Sequence, residues 1–85
     1  MSKRIILGVS ISQRTESVPQ VQSILTECGC HIKTRLGLHE VTDNLCSPAG
    51  LLILEMHGDD AAIAHCESKL NAIDGVQVKR MEFDV

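Results

Sequence analysis

The chain has 85 residues, enough for one domain built around one small core. Apolar residues make up 44% of it, but Phe83 is its only Phe, Tyr or Trp, so the core must come from Ile, Leu, Val, Ala and Met, and little is left to stack on nucleic-acid bases. A formal net charge of −3, with Lys and Arg at the chain ends and in one central strand, excludes a basic stripe for direct nucleic-acid binding, and no apolar run has the length of a membrane helix.

Residues 3–11, "KRIILGVSI", alternate strictly, with Ile5, Leu7, Val9 and Ile11 on one face and Arg4, Ile6, Gly8 and Ser10 on the other, which predicts a first strand. The polar stretch "SQRTES" follows, in which Thr15 or Ser17 can cap a helix with Pro19 in its first turn. Val18, Val21, Ile24, Leu25 and Cys28 recur at three- and four-residue steps, the stripe of an amphipathic helix that Gly29 ends.

Residues 30–39, "CHIKTRLGLH", alternate again. Ile32, Thr34, Leu36 and Leu38 are expected on the core side, with His31, Lys33, Arg35, Gly37 and His39 on the other. Asp43-Asn44 and Ser47-Pro48 mark a connection. In residues 50–57, "GLLILEMH", Leu52, Leu54 and Met56 point inward, and Leu51, Ile53, Glu55 and His57 outward. A second helix begins at a cap on Asp59 or Asp60, buries Ala62, Ile63, Cys66, Leu70 and Ile73, and stops at Gly75. The last strand, "VQVKRMEF", is expected to be irregular near Lys79-Arg80, where the apolar residues change parity.

Strand, helix, strand, strand, helix, strand is the split βαβ arrangement. The expected fold is α+β, ferredoxin-like or ACT-like: one domain over residues 1–85, with a four-stranded antiparallel sheet and both helices on one face. The other face then carries Ile6, Leu51 and Ile53 with no cover inside the chain, which predicts a homo-oligomer, a dimer or tetramer, assembled through the sheet. Ile5-Ile6-Leu7 is followed at once by Gly8 and polar residues, which does not read as a signal peptide. Four cysteines in such a chain read as reduced thiols, so the expected location is cytoplasmic. Cys28 and Cys66 fall on buried helix stripes and read as small hydrophobes.

Two groups of residues could carry chemistry. A hairpin that sets Gly37 opposite Leu51 places His31 opposite His57 at one end of the sheet, with His39 and Cys46 at the other end. Imidazole and thiolate suit nickel, copper or zinc better than magnesium or calcium. His39, Cys46, His31 and His57 are therefore candidate metal ligands, completed across a subunit boundary, and an ordinary polar turn is the alternative. At the first helix start, free N–H groups with Arg14, Thr15 and Ser17 form a candidate small-ligand site for an anion, with plain helix capping as its alternative. Nothing reads as catalytic: there are no phosphate loop, no paired carboxylates of recognisable spacing and no oxyanion-hole loop, so no enzyme activity is expected.

Over nearly its full length the chain resembles small regulators of the iron-only hydrogenase system, through "RIILGVSI", "RLGL", "LNAIDG" and "GVQVKRMEF". That likeness implies an ACT-type domain that assembles through its sheet. From His39 to Gln77 it also resembles the C-terminal metal-sensing domain of the nickel-responsive repressor, through "LHEVTDNLC", "LLILEMH", "GDDAAIAHCESKL" and "GVQ". This second likeness implies nickel ligation by His39 and Cys46, with His31 or His57 acting from the adjacent subunit. The HxH of that repressor is Gly37-Leu38-His39 here, one donor fewer. "VPQVQSILTECGCHI" has the cadence of an ACT helix and strand, but Gln20 stands where ACT amino-acid sites often place glycine. The expected function is a ligand-sensing regulatory module with a nickel-like metal as effector. An amino-acid or anion-binding module, or a pure assembly module, is the alternative, and a regulatory or enzyme protein is the expected partner.

Overall fold

The computed structural model describes residues 3–12, 17–41 and 46–85; for residues 17, 38–41 and 46–49 the description is of the backbone. The chain runs β1 (Lys3–Ile11), α1 (Ser17–Glu27), a short 3₁₀ turn (Gly29–His31), β2 (Ile32–Val41), β3 (Cys46–Met56), α2 (Asp60–Asn71) and β4 (Val76–Asp84). The strands form one four-stranded sheet in the order β2-β3-β1-β4, and every neighbouring pair is antiparallel. This is the βαββαβ ferredoxin-like fold.

The alternation of β1 decides which side of the sheet becomes the core. Ile5, Leu7, Val9 and Ile11 are all buried, and Leu7 and Val9 are fully enclosed. Leu52, Leu54 and Met56 of β3 and Val76 and Val78 of β4 join them from the flanking strands. From above come Val21, Leu25 and Cys28 of the first helical segment and Ile63, Cys66, Leu70 and Ile73 of the second. Each fully buried aliphatic side chain contributes roughly 1.5–3 kcal/mol relative to exposure. Val18, expected on this stripe, is instead exposed one turn before the contact begins.

Local chemistry sets the ends of α2. Asp59 has extended backbone, and its carboxylate accepts the Ala62 N–H at 2.8 Å. Of the two acids expected there, Asp59 is the cap and Asp60 sits in the first turn. Gly75, at φ +82°, reverses the chain into β4. Its carbonyl accepts both the backbone N–H of Ser12 at 2.9 Å and the Ser12 hydroxyl at 3.0 Å, tying the end of β1 to this turn.

Two expectations about register are corrected. Gly37 pairs with Leu52, not Leu51, and Leu36 pairs with Ile53. The reason is an irregularity at Lys33: Ile32 pairs with Met56, but Thr34 pairs with Glu55, one step on. An extra residue inverts every side chain beyond it. Ile32 therefore faces the core, while Thr34 and Leu36 face away from the helices. Arg35 lies on the helix side, where its Nη2 donates to Gln22 Oε1 on α1 at 2.9 Å. Strand β4, in contrast, is regular through Lys79-Arg80, with nine consecutive pairs to β1 from Lys3–Asp84 to Ile11–Val76. Its apolar residues change faces without any break: Val76 and Val78 point to the core, Met81 and Phe83 to the opposite side.

A third correction concerns sulfur. Cys28 and Cys66 are buried in the core as expected, but they are joined as a disulfide, with their Cα atoms 6.3 Å apart. The bridge links the chain just past α1 to the middle of α2.

Candidate functional site: the uncovered sheet face

The side of the sheet away from the helices is read directly from the register. Across the order β2-β3-β1-β4, one row is Leu36, Ile53, Gly8 and Lys79, and the next is Thr34, Glu55, Ile6 and Met81. Arg4 and Phe83 pair beyond it, and Leu51, Ser10 and Gln77 lie on the other flank. Leu36 and Met81 are each 53% exposed and Phe83 47%, while Ile6 and Ile53 are half-buried. Gly8 leaves the centre of the face without a side chain, so this surface is flat and admits a close neighbour.

One carboxylate interrupts the apolar field. Glu55 accepts from the Thr34 hydroxyl at 3.2 Å and lies 3.6 Å from Arg4 and 4.0 Å from Lys33. Glu55 is thus held by residues of both neighbouring strands. In the open these pairs contribute little, but a surface laid over them would exclude water and strengthen them.

The helix side carries two further charge clusters. Glu27 lies 3.0 Å from Lys69 and 3.9 Å from His65. The hydrogen bond and charge of Lys69 hold its carboxyl below the usual carboxylate range, against a small opposing effect of burial, with His65 adding to the lowering. Arg80 donates to Glu67 and to Glu82, both at 2.9 Å. Burial alone would lower the pKa of the Arg80 guanidinium, but the two carboxylates outweigh it and raise it, so its cation is fixed.

Of the expected metal ligands, the structure brings His31 and His57 together. The His57 N–H donates to the His31 carbonyl at 2.7 Å, and His31 Nδ1 lies 3.1 Å from the His57 carbonyl oxygen. In the tautomer that makes this bond, Nδ1–H donates and Nε2 is left as the ring's one metal donor. At the other end, His39 pairs with Gly50 and Val41 with Cys46 along the backbone, and the side chains of His39 and Cys46 lie outside the description. Among the described residues no three His, Cys, Asp or Glu groups converge as a metal ion requires, so the described donors do not make a metal centre. Arg14 and Thr15 fall outside the described residues, and Ser17 is the first residue of α1.

Two clefts flank His57. One, of about 440 Å³, lies at the start of α2 between Lys3, Met56, Gly58 and Asp60. The other, of about 290 Å³, is lined by Cys30, Ile32, Lys33 and His57. The sequence pattern placed neither Leu36 nor Met81 and Phe83 on the uncovered face. Unbroken alternation through Lys79-Arg80 was the signal for the last two; for Leu36 none existed, because the extra residue at Lys33 has no signature in the sequence.

No protein-family model matches this chain, and no curated protein matches it. Solved structures do. The fold is similar to that of an uncharacterized protein from Thermotoga maritima, with 25% identity, a TM-score of 0.83, and coverage of 98% of this chain and 100% of that one. It is also similar to a nitrogen regulatory PII-like protein from Thiomonas intermedia, solved with ADP, AMP and bicarbonate, at 10% identity and TM-score 0.58, over 99% of this chain and 96% of that one. A formyltetrahydrofolate deformylase from Pseudomonas putida matches at 16% identity and TM-score 0.56, over 92% of this chain but only 28% of the deformylase. At these identities the last two likenesses show the fold alone. Among the described residues no helix is long and apolar enough to cross a membrane.

Proposed function

We propose that this chain is a small, non-enzymatic sensing module that works as a homo-oligomer, with copies joined through the uncovered sheet face and an effector held where subunits meet. The observation that carries this reading is the apolar patch of Leu36, Ile53, Ile6, Met81 and Phe83, with Glu55 set into it, on the side of the sheet that no helix covers. The described backbone supports it: residues 46–49 of β3 run on past Gly50, the partner of Ile11, the last residue of β1. Such a shape leaves an edge and a face free for a second copy.

An effector at the seam acts by differential affinity for two packings of the subunits, typically worth 1–3 kcal/mol. The narrower form of the proposal is a nickel-like transition metal held by His39 and Cys46, with His31 or His57 from a neighbouring subunit. Donor softness and the resemblance to the metal-sensing repressor domain support it. The resemblance to iron-only hydrogenase system regulators supports a cytoplasmic regulatory role with a partner protein.

Sedimentation with and without added nickel or zinc, on wild type and Cys46→Ser, tests this reading. A stoichiometric metal that changes the subunit association of wild type and fails to bind Cys46→Ser supports the metal form. Equal binding by the serine variant removes it. A response that survives a chelator and follows one amino acid or anion points instead to the α1 start, at Arg14, Thr15 and Ser17.

A further inference from the structure

The sulfur chemistry of this chain extends beyond that reading and does not depend on it. Cys28 and Cys66 are bridged across the two helical segments, and both lie inside the core, at 4% and 2% exposure. Two residues beyond Cys28, past Gly29, Cys30 is exposed and carries a free thiol. It lines the cleft of about 290 Å³ with Ile32, Lys33 and His57. A buried disulfide is shielded from a bulky reductant, whereas an exposed thiol next to it in sequence is open to one. Gly29 has open space where a Cβ would stand, and a single 3₁₀ turn, closed by the His31 N–H on the Cys28 carbonyl at 2.9 Å, separates the two cysteines, so Cys30 reaches Cys28 when that turn opens. The core also tolerates both redox states: with the bridge open, Cys28 and Cys66 are two small apolar side chains in an otherwise aliphatic cluster.

We propose that Cys28, Cys30 and Cys66 form a thiol–disulfide exchange site, through which a dithiol or a small disulfide sets how tightly the two helices are held together. In the opening direction the Cys30 thiolate attacks Cys28 Sγ. The Cys28–Cys30 bond forms, the Cys28–Cys66 bond breaks, and Cys66 leaves as a thiolate that takes a proton. A thiolate of an external dithiol then attacks Cys30 Sγ, forming a mixed disulfide and releasing Cys28 as its thiol. The second thiol of the reductant, losing its proton, closes its own disulfide and releases Cys30. Two electrons pass from the dithiol to the protein, and Cys28, Cys30 and Cys66 all end as thiols. Oxidation by a small disulfide such as oxidised glutathione runs the same steps backward, with Cys30 as the first residue capped.

The seam that opens is the one also closed by Glu27 with Lys69 and His65, neighbours in sequence of Cys28 and Cys66. Reduction therefore leaves α1 held to α2 by apolar contact and these exposed charges. The oxidation state changes the mobility of the helix layer while the sheet, paired independently, keeps its form.

The test uses the purified full chain in graded ratios of reduced to oxidised glutathione, quenched with an alkylating agent and mapped by peptide mass spectrometry. In oxidising buffer Cys28 and Cys66 should be protected and bridged, with glutathione captured on Cys30. Dithiothreitol should release all three and lower the melting temperature by about 10 °C or more with far-UV circular dichroism kept. The exposed position of Cys30 makes Cys30→Ser a variant that folds. It should keep the melting temperature of the oxidised protein but open the bridge at least tenfold more slowly. Freely alkylated Cys28 and Cys66 in the native oxidised chain, or an unchanged opening rate in Cys30→Ser, would overturn the proposal.

Discussion

Gly58 occupies a backbone conformation, φ +116°, that side chains rarely adopt, and a Cβ there would stand 2.6 Å from Nδ1 of His31. The imidazole packs into that space and reaches the His57 carbonyl. Gly58→Ala should thus cost about 1–3 kcal/mol from backbone strain, and displace the His31 ring as well; a urea denaturation midpoint measures the first and the His31 ring chemical shifts the second. Glu27 gives a second residue-level test. Its carboxyl is held below the usual range by Lys69, so the stabilisation is present above the titration of the unfolded carboxyl and is lost as pH falls through the lowered one. The melting temperature of wild type should fall more steeply than that of Glu27→Gln between about pH 5 and pH 3. Equal slopes would show that the pair contributes nothing. At this scale the sequence was partly readable. An acid next to an apolar run announces a cap, and Asp59 is one. Which glycine carries a positive φ depends on the loop path, which composition does not reveal.

Among the elements, β1, β3 and both helices follow from periodicity, because residues such as Leu7, Leu54 and Leu70 sit where an apolar face must be buried. Leu7→Ala, at the centre of the sheet, should cost about 2–5 kcal/mol by chemical denaturation. A cost below 1 kcal/mol would mean that the helices do not pack where the register puts them. Strand β2 defeats the same reasoning. Its alternation is real, but the irregularity at Lys33 sends Thr34 and Leu36 to the far side of the sheet and brings Arg35 under α1. Strand β4 misleads in the opposite way: the change of apolar parity looks like a break and is a uniform strand whose two halves bury opposite faces. The disulfide was hidden too, since Cys28 and Cys66 fit the helix stripes as hydrophobes and only the packing of the two helices brings them together. With a sequence separation of 38, its closure restricts the unfolded chain by about 4 kcal/mol in the loop-entropy picture. That is a large share of the stability of a domain this small.

For the molecule as a whole, the βαββαβ order and its uncovered sheet face were legible, since two amphipathic helices after a strand and a hairpin leave one side of a four-stranded sheet bare. What occupies that side was legible only in part. Ile6, Leu51 and Ile53 were expected there, but Leu36, Met81 and Phe83 widen the patch, and Glu55 with Arg4 and Lys33 sets a charge pattern inside it. The candidate metal ligands remained a matter of donor chemistry, because among the described residues His31 and His57 meet through the His57 backbone N–H on the His31 carbonyl and the His31 ring Nδ1 at the His57 carbonyl, and the side chains of His39 and Cys46 lie outside the description. The function proposed for this chain requires that its copies join through this face. Ile53 lies in its middle, between Leu36 and Gly8, and its side chain takes no part in the core. Sedimentation velocity of wild type and Ile53→Lys over a hundredfold range of concentration is the direct test. A wild-type dimer or tetramer that becomes a folded monomer in Ile53→Lys, with unchanged far-UV circular dichroism, is the predicted result. A wild-type chain that stays monomeric throughout, or an oligomer that Ile53→Lys leaves intact, would contradict it.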